Sequence, residues 1–243
     1  MVSKVNGIVI KESDMGESGK RIVVLTKEHG KMLLSVRGAK NTKKGMQAVQ
    51  LFSCCEFTLF EGKGFYSVTQ ADVIESFYDI RNDFERLAYG AYILEITERA
   101  SFEELENNRA FDLLLRTLFM LSSGKRRPRL VAAVYVLRLL REYGFMGDCS
   151  VCSECGKELE EAFYGFTADG LCCRECYKGG GRKLDKGALK ALLHITESPV
   201  NTLFAFDVSD TVLEELWDFS SVYRREYLGE NYKTLDYINN MGF

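Results

Sequence analysis

The sequence predicts an α+β fold in which a small β-barrel precedes an all-helical domain with an inserted cysteine-rich segment. Strand-like runs fill the first 77 residues, helical periodicity begins at Ile80, and six of the eight cysteines fall within residues 149–176. We therefore expect one domain over residues 1–78 and a second over residues 79–243, with the insertion at about residues 149–177.

Short runs rich in β-branched and aromatic residues predict the strands of the barrel. The five runs are Val5–Ile10, Arg21–Thr26, Met32–Val36, Cys54–Phe60 and Phe65–Thr69. Glycine-containing sequences at residues 28–30 and 61–64 are typical of the hairpin turns between such strands. So many strands in so short a stretch favour a closed or nearly closed barrel over an open sheet.

The second domain is predicted to be helical because its apolar residues recur at i, i+3 and i+4. The apolar faces of these helices form a core, and we assign them no other function. The predicted helices begin at about Phe84, at Asn107 or Asn108, after Pro128, at about Leu184 and at Ser209.

Composition excludes several classes of protein. With 243 residues, 46% of them hydrophobic, the chain can bury real cores and is not disordered. No stretch reaches the roughly 18 uncharged apolar residues of a membrane span, and Lys4 and Lys11 interrupt the amino terminus too early for a signal peptide. We therefore expect a cytoplasmic protein with no membrane partner.

The cysteines give the strongest motif in the chain. Two C-x2-C pairs, separated by 17 residues, have the spacing of a tetrahedral four-thiolate zinc site. Four thiolates close the coordination sphere, so we expect one structural Zn²⁺ that helps to fold a segment with few aliphatic residues. Cys149 and Cys172 can compete for the metal, because Cys149 has the same spacing to the next cysteine. The predicted ligands are Cys152, Cys155, Cys173 and Cys176.

Positive charge is concentrated in one part of the predicted barrel. The net charge of the chain is −3, but residues 20–44 hold eight lysines and arginines against one acid, Glu28. Small barrels bind single-stranded nucleic acid by neutralising phosphates beside exposed aromatic rings. A solvated loop that only maintains solubility would have the same composition. The predicted DNA contacts are Arg21, Lys31, Arg37, Lys40, Lys43 and Lys44.

Two other basic clusters, at residues 125–129 and 178–186, can either extend a nucleic-acid track or solubilise a loop. No arrangement of catalytic residues is visible. There are only two histidines, and residues 16–20 lack the spacing of a phosphate-binding loop. We therefore expect a binding protein and not an enzyme.

The order of these features resembles the RecO recombination-mediator family of bacteria, over nearly the whole chain. The paired cysteines, C-x2-C-G and then G-L-C-C-x-x-C, lie inside a helical domain as in that family. The other stretches that carry the resemblance are Arg37-Gly-Ala-Lys40, Gln50-Leu-Phe52, Ile74-Glu-Ser-Phe77 and Tyr232-Lys-Thr-Leu235.

The resemblance implies an amino-terminal OB fold, a helical domain with an inserted zinc finger, and a role in DNA repair by homologous recombination at the nucleoid. Proteins of this kind bind single- and double-stranded DNA and anneal complementary strands. They act with RecR to help RecA replace single-strand-binding protein. By the same resemblance, Arg37 and Lys40 belong to the basic stretch of the family and the four predicted ligands to its zinc site. The additional Cys149 and Cys172 depart from the family pattern.

Two other functions would use the same features. An RNA-binding protein would present the same barrel and zinc segment, and contacts to the 2′-hydroxyl would distinguish it. A redox- or metal-sensing regulator would use the clustered cysteines as a switch that releases zinc under mild oxidation.

Overall fold

Five strands close into a barrel in the amino-terminal part of the chain. The computed structural model describes residues 2–17, 19–37, 49–62, 64–102, 108–165 and 170–242. The hydrogen-bonded order is β1-β2-β3-β5-β4, and β4 returns to pair with β1. The predicted OB-fold barrel is therefore confirmed. The strands are β1 (Val2–Met15), β2 (Gly19–Thr26), β3 (Gly30–Val36), β4 (Cys54–Gly62) and β5 (Phe65–Glu75).

Alternation along each strand fills the barrel. On β3, Met32, Leu34 and Val36 point into the core, and the residues between them face outward. β1 is longer than predicted. A bulge between Val9 and Lys11 bends it, so that the strand continues past Ile10. Its first half pairs with β4 and its second half with β2, so this one strand contributes to the closure of the barrel on two sides.

Three helices follow the barrel in the first of two compact units, residues 1–122. They are α1 (Tyr78–Arg81), α2 (Phe84–Ala100) and α3 (Asn108–Ser123). The side chain of Asp83 accepts a hydrogen bond from the Arg86 backbone N–H at 2.9 Å and so begins α2. A Cβ atom at Gly90 would lie 3.0 Å from the ring of Phe52, so this glycine allows that ring to pack against the helix.

The second unit, residues 123–243, is built around one helix whose apolar residues are all buried. Leu130–Leu137, Leu139 and Leu140 of α4 (Pro128–Glu142) are all buried, which is typical of a helix surrounded by other elements. A two-stranded antiparallel sheet, β6 (Ala162–Tyr164) and β7 (Arg182–Leu184), interrupts the helices. The remaining helices are α5 (Lys186–Glu197), α6 (Asp210–Leu228) and α7 (Lys233–Met241).

The sequence did not predict α1, α7 or the small sheet. The helix expected from Leu184 begins at Lys186, because the Asp185 side chain accepts a hydrogen bond from the Gly187 N–H and caps it. No helix in the described ranges is long and apolar enough to cross a membrane. The domain boundary expected after residue 78 stays a prediction.

Arg138 joins the central helix α4 to the end of α5. Its guanidinium donates hydrogen bonds to the carbonyls of Ile195, Thr196 and Ser198 at 3.0, 3.1 and 2.8 Å. It also pairs with Glu142 at 2.8 Å, and each of these two side chains is only 11% exposed. The arginine thereby supplies donors to carbonyls that the last turn of a helix leaves without partners.

We predict that Arg138→Met lowers the free energy of unfolding by about 3 kcal/mol, because it removes a buried ion pair with Glu142 and the donor to three carbonyls at the end of α5. The matched control is Arg99→Met, which removes a more exposed i,i+4 pair with Glu95 and should cost below about 1 kcal/mol. Urea unfolding of both variants measures the difference. Equal effects would show that Arg138 contributes only a surface ion pair.

Candidate metal centre and nucleic-acid interface

Two tight turns bring the paired cysteines together. In the first, the Gly156 N–H donates to the Cys152 carbonyl at 2.8 Å, and Gly156 takes the left-handed conformation with φ 73°. In the second, the Tyr177 N–H donates to the Cys173 carbonyl at 3.0 Å. Phe163 of β6 exchanges two backbone hydrogen bonds with Cys172, at 2.9 and 2.8 Å, and so fixes the second turn to the small sheet.

The sulfur atoms of Cys152, Cys155, Cys173 and Cys176 all lie within 4.8 Å of one another. A tetrahedral ion with metal–sulfur bonds of about 2.3 Å holds its sulfurs about 3.8 Å apart. The Sγ atoms of Cys155 and Cys173 are separated by 3.9 Å, which fits this geometry. The four side chains can therefore hold one metal ion between the two turns.

The other two cysteines of the segment lie outside this cluster. Cys149 is buried, its Sγ donates to the Gly147 carbonyl at 3.7 Å, and burial raises its pKa to about 12. The Sγ of Cys172 lies 3.8 Å from the Ser153 hydroxyl. Among the described residues, neither sulfur belongs to the group that can hold an ion, although the sequence left both as competitors.

Backbone amides favour the ionised form of one cysteine in the cluster. Burial acts to raise the pKa of Cys152, but the backbone N–H groups of Cys173, Cys155 and Glu154 hydrogen-bond to its sulfur and lower the pKa to about 6. Side-chain hydrogen bonds with the sulfurs of Cys155 and Cys173 raise the pKa of Cys176 instead. Because metal ions bind thiolates, metal binding displaces the protons that such thiols otherwise retain.

Two of the predicted DNA contacts are exposed on the outer surface of the barrel. Arg21 lies on β2 directly opposite Ser35 of β3, and Arg37 follows the end of β3. Neither β2 nor β3 contains an acidic residue. Within the described part of the chain, neither guanidinium forms an ion pair. This surface therefore presents positive charge that a phosphate can reach.

The other cations of residues 20–44 are placed differently. Lys31 is half-buried, and its Nζ donates to the Glu98 carbonyl of α2 at 3.1 Å. Lys20 pairs with Glu12 at 2.7 Å, and Lys27 pairs with Asp112 at 3.5 Å. The predicted contacts Lys40, Lys43 and Lys44 lie outside the described residues.

Arginines of the two further basic clusters are engaged by acids of their own unit. Arg129 forms two hydrogen bonds with Glu214, at 2.6 and 2.7 Å, and its guanidinium lies over the ring of Trp217. Arg127 pairs with Asp210, and Arg182 pairs with Asp218. These arginines connect elements within the second unit and are not free for a polyanion.

Comparison with known proteins agrees with the arrangement of barrel, helices and cysteine segment. Residues 1–77 match the family model described as Recombination protein O N terminal, and residues 81–236 match Recombination protein O C terminal. The chain belongs to the RecO family. The resemblance seen in the sequence is thus confirmed, and with it a role in DNA repair and recombination.

Curated RecO proteins match this chain over nearly its full length. The DNA repair protein RecO of Acetivibrio thermocellus is 40% identical over 242 residues, which cover 98% of this chain and 96% of the relative. The RecO of Clostridium acetobutylicum is 26% identical over 97% of this chain and 96% of its own. The RecO of Listeria monocytogenes is 28% identical over 99% of this chain and 95% of its own.

Sequence reasoning missed two aromatic side chains on the barrel of this RecO protein. Phe60 and Phe65 are about half exposed, although both lie within strands. The alternation on β4 contains the signal that would have found the first of them. Phe57 and Leu59 point into the core, so Phe60 must point outward.

We predict that the protein purifies with one tightly bound metal ion per chain, and that Cys155→Ser or Cys173→Ser removes most of it, because each change deletes one of the four converging thiolates. Cys172→Ser is the matched control and should retain the full metal content, since its sulfur lies outside the cluster. Inductively coupled plasma mass spectrometry measures the metal. Full occupancy in both ligand variants would contradict the assignment.

Proposed function

We propose that this RecO protein is a recombination mediator that binds single- and double-stranded DNA and anneals complementary strands. Together with RecR it helps RecA to load onto DNA coated with single-strand-binding protein. Membership of the family supports this role. The structural observation that carries it is the acid-free outer surface of β2 and β3, with exposed Arg21 and Arg37, on a chain of net charge −3.

The proposed mechanism is one of binding and charge neutralisation. Cationic side chains that contact phosphates release condensed counterions, and this release favours association. Two strands held on the same neutralising surface repel each other less, so base pairing between them proceeds faster. No covalent bond forms or breaks in this process, which agrees with the expectation that the protein is not an enzyme.

We infer that the ion in the cysteine cluster is Zn²⁺ and that its role is structural. A tetrahedral set of thiolates is typical of zinc sites that have no open position for a substrate. The ion would join the two turns of a segment that has one short sheet and few aliphatic side chains of its own. Its binding energy would then contribute directly to the stability of this segment.

We predict that the double variant Arg21→Ala, Arg37→Ala flattens the salt dependence of single-strand binding by about 1.4 log–log units, at about 0.7 per lost phosphate contact. Fluorescence polarisation of a labelled oligonucleotide across a series of salt concentrations measures the slope. Replacing Arg37, Lys40, Lys43 and Lys44 together should flatten it by up to about three units.

The control for this experiment is Lys27→Ala, because Lys27 is paired with Asp112. It should leave the slope unchanged. An unchanged slope in the arginine double variant and in the quadruple variant would place the DNA site on another surface.

We predict that the protein accelerates the annealing of complementary fluorescent oligonucleotides, both bare and coated with single-strand-binding protein. Energy transfer between the two labelled strands reports duplex formation. The Arg21→Ala, Arg37→Ala variant should anneal more slowly, because fewer cations screen the repulsion between the strands. Absence of acceleration in either case would count against the mediator function.

A further inference from the structure

The outer surface of the barrel has a covered part and an uncovered part. Ile8 of β1 and Leu25 of β2, which lie opposite each other, point outward and are fully buried. Helix α2 contacts β1 in the same unit. In contrast, Leu33, Phe60 and Phe65 on β3, β4 and β5 are 49%, 46% and 47% exposed. These three large apolar side chains are therefore left facing solvent, as is Ile74 at the far end of β5.

The strand register places these side chains beside a cation. Arg21 lies opposite Ser35, Ser35 opposite Ser67, and Ser67 opposite Phe60. Residues that lie directly opposite each other share a face of the sheet, so these four form one outward row across β2, β3, β5 and β4. Two residues earlier on β3 and β5, Leu33 and Phe65 occupy the next outward row.

Gly62 determines where the ring of Phe65 lies. The two residues are opposite each other, and a Cβ atom at Gly62 would lie 2.3 Å from the Phe65 ring. The ring thus lies across the bare backbone of β4, two residues along the strand from outward-facing Phe60. Any larger residue at position 62 would displace the ring. Two aromatic rings consequently share one end of the β4 surface.

The outward-facing acids of β4 and β5 beside this surface have partners of their own. On the outward side of β4, Glu56 pairs with Lys4 at 2.6 Å. On β5, the carboxylate of Asp72 accepts a hydrogen bond from the Gln70 side-chain amide at 2.7 Å. Glu56 precedes Phe60 on β4 and Asp72 follows Ser67 on β5, so this opposite pair lies toward the other end of the two strands. Glu61 lies between Phe60 and Gly62 and is exposed at the end of β4, but it is opposite Tyr66 and alternates to the other face of the strand. The outward row itself therefore contains Arg21, two serines and Phe60.

We propose that Phe60 and Phe65, together with Leu33, form a platform on which the bases of single-stranded DNA stack, while Arg21 contacts a neighbouring phosphate. This inference rests on the proposed DNA-binding function and assigns it a face. Base–aromatic stacking is tolerant of sequence because every base has a π-face, and hydroxyl groups such as those of Ser35 and Ser67 bind phosphate oxygens. A duplex keeps its bases stacked inside, so the platform selects single strands.

The test compares single-strand and duplex affinity in the double variant Phe60→Ala, Phe65→Ala. We expect single-strand affinity to fall by about tenfold for each ring removed. The salt slope and the duplex affinity should remain those of the parent protein, because no phosphate contact is lost. Phe84→Ala is the matched control, since Phe84 is 74% exposed but lies at the start of α2. It should change neither affinity.

Two variants that keep an aromatic ring at position 65 test the platform even if the double alanine variant fails to fold. Phe65→Tyr keeps a stacking surface and should bind single strands like the parent. Phe65→Trp places a fluorophore on the platform, and its emission should be quenched by a single-stranded oligonucleotide and not by a duplex of the same sequence.

The platform would be overturned if the double alanine variant kept its single-strand affinity. If the salt slope of single-strand binding still responded to Arg21→Ala and Arg37→Ala, the proposed function would stand. This outcome would also be expected if the exposed rings were a protein-docking surface. The platform would also be overturned if the double alanine variant lost duplex affinity and single-strand affinity equally. A parent protein with no salt-dependent DNA binding would overturn the proposed function itself.

Discussion

Ion pairing within the chain decides which of its lysines and arginines a polyanion can reach. A phosphate that approaches Arg129 must displace a carboxylate already held by two hydrogen bonds, and the same competition exists at Arg127 and Arg182. Arg21 forms no ion pair with a described residue: β2 and β3 contain no acid, and Glu12 on the neighbouring strand β1 is held by Lys20. The distribution of carboxylates, more than the number of cations, therefore supports the barrel as the proposed DNA-binding surface.

The alternation that fills the barrel also determines which side chains lie on its proposed binding surface. Every inward residue of β3 requires an outward neighbour, so the packing of Met32 and Leu34 places Leu33 in solvent or against a partner. Two glycines make room for aromatic rings, one in the core and one on the outer surface. Gly90 admits the ring of Phe52 to the core, and Gly62 lays the ring of Phe65 flat on the outside. Interior packing and surface chemistry are thus consequences of one strand pattern.

Local sequence signals were sufficient for the barrel, most of the helices and the cysteine cluster, because alternation, helical period and C-x2-C spacing are properties of short segments. Whether an individual lysine or arginine is paired or exposed was not predictable from such local signals. Arg129 and Glu214 are far apart in the chain, and the partner of Lys31 is a backbone carbonyl of α2. Such contacts depend on the tertiary arrangement. Helix α7 was missed because it has only nine residues, which is shorter than the window of about 11 to 18 residues over which a helical period is read.

The cysteine segment and the barrel have opposite electrostatic character, and this difference separates their roles. Residues 149–176 hold two basic and six acidic side chains. Four thiolates around a divalent ion add a further net charge of −2, so binding the metal increases the negative charge of the segment. A phosphate chain is repelled by such a surface. The proposed Zn²⁺ would therefore stabilise a segment whose charge disfavours contact with DNA, whereas the proposed DNA contacts lie on barrel strands that contribute no cysteine to the cluster.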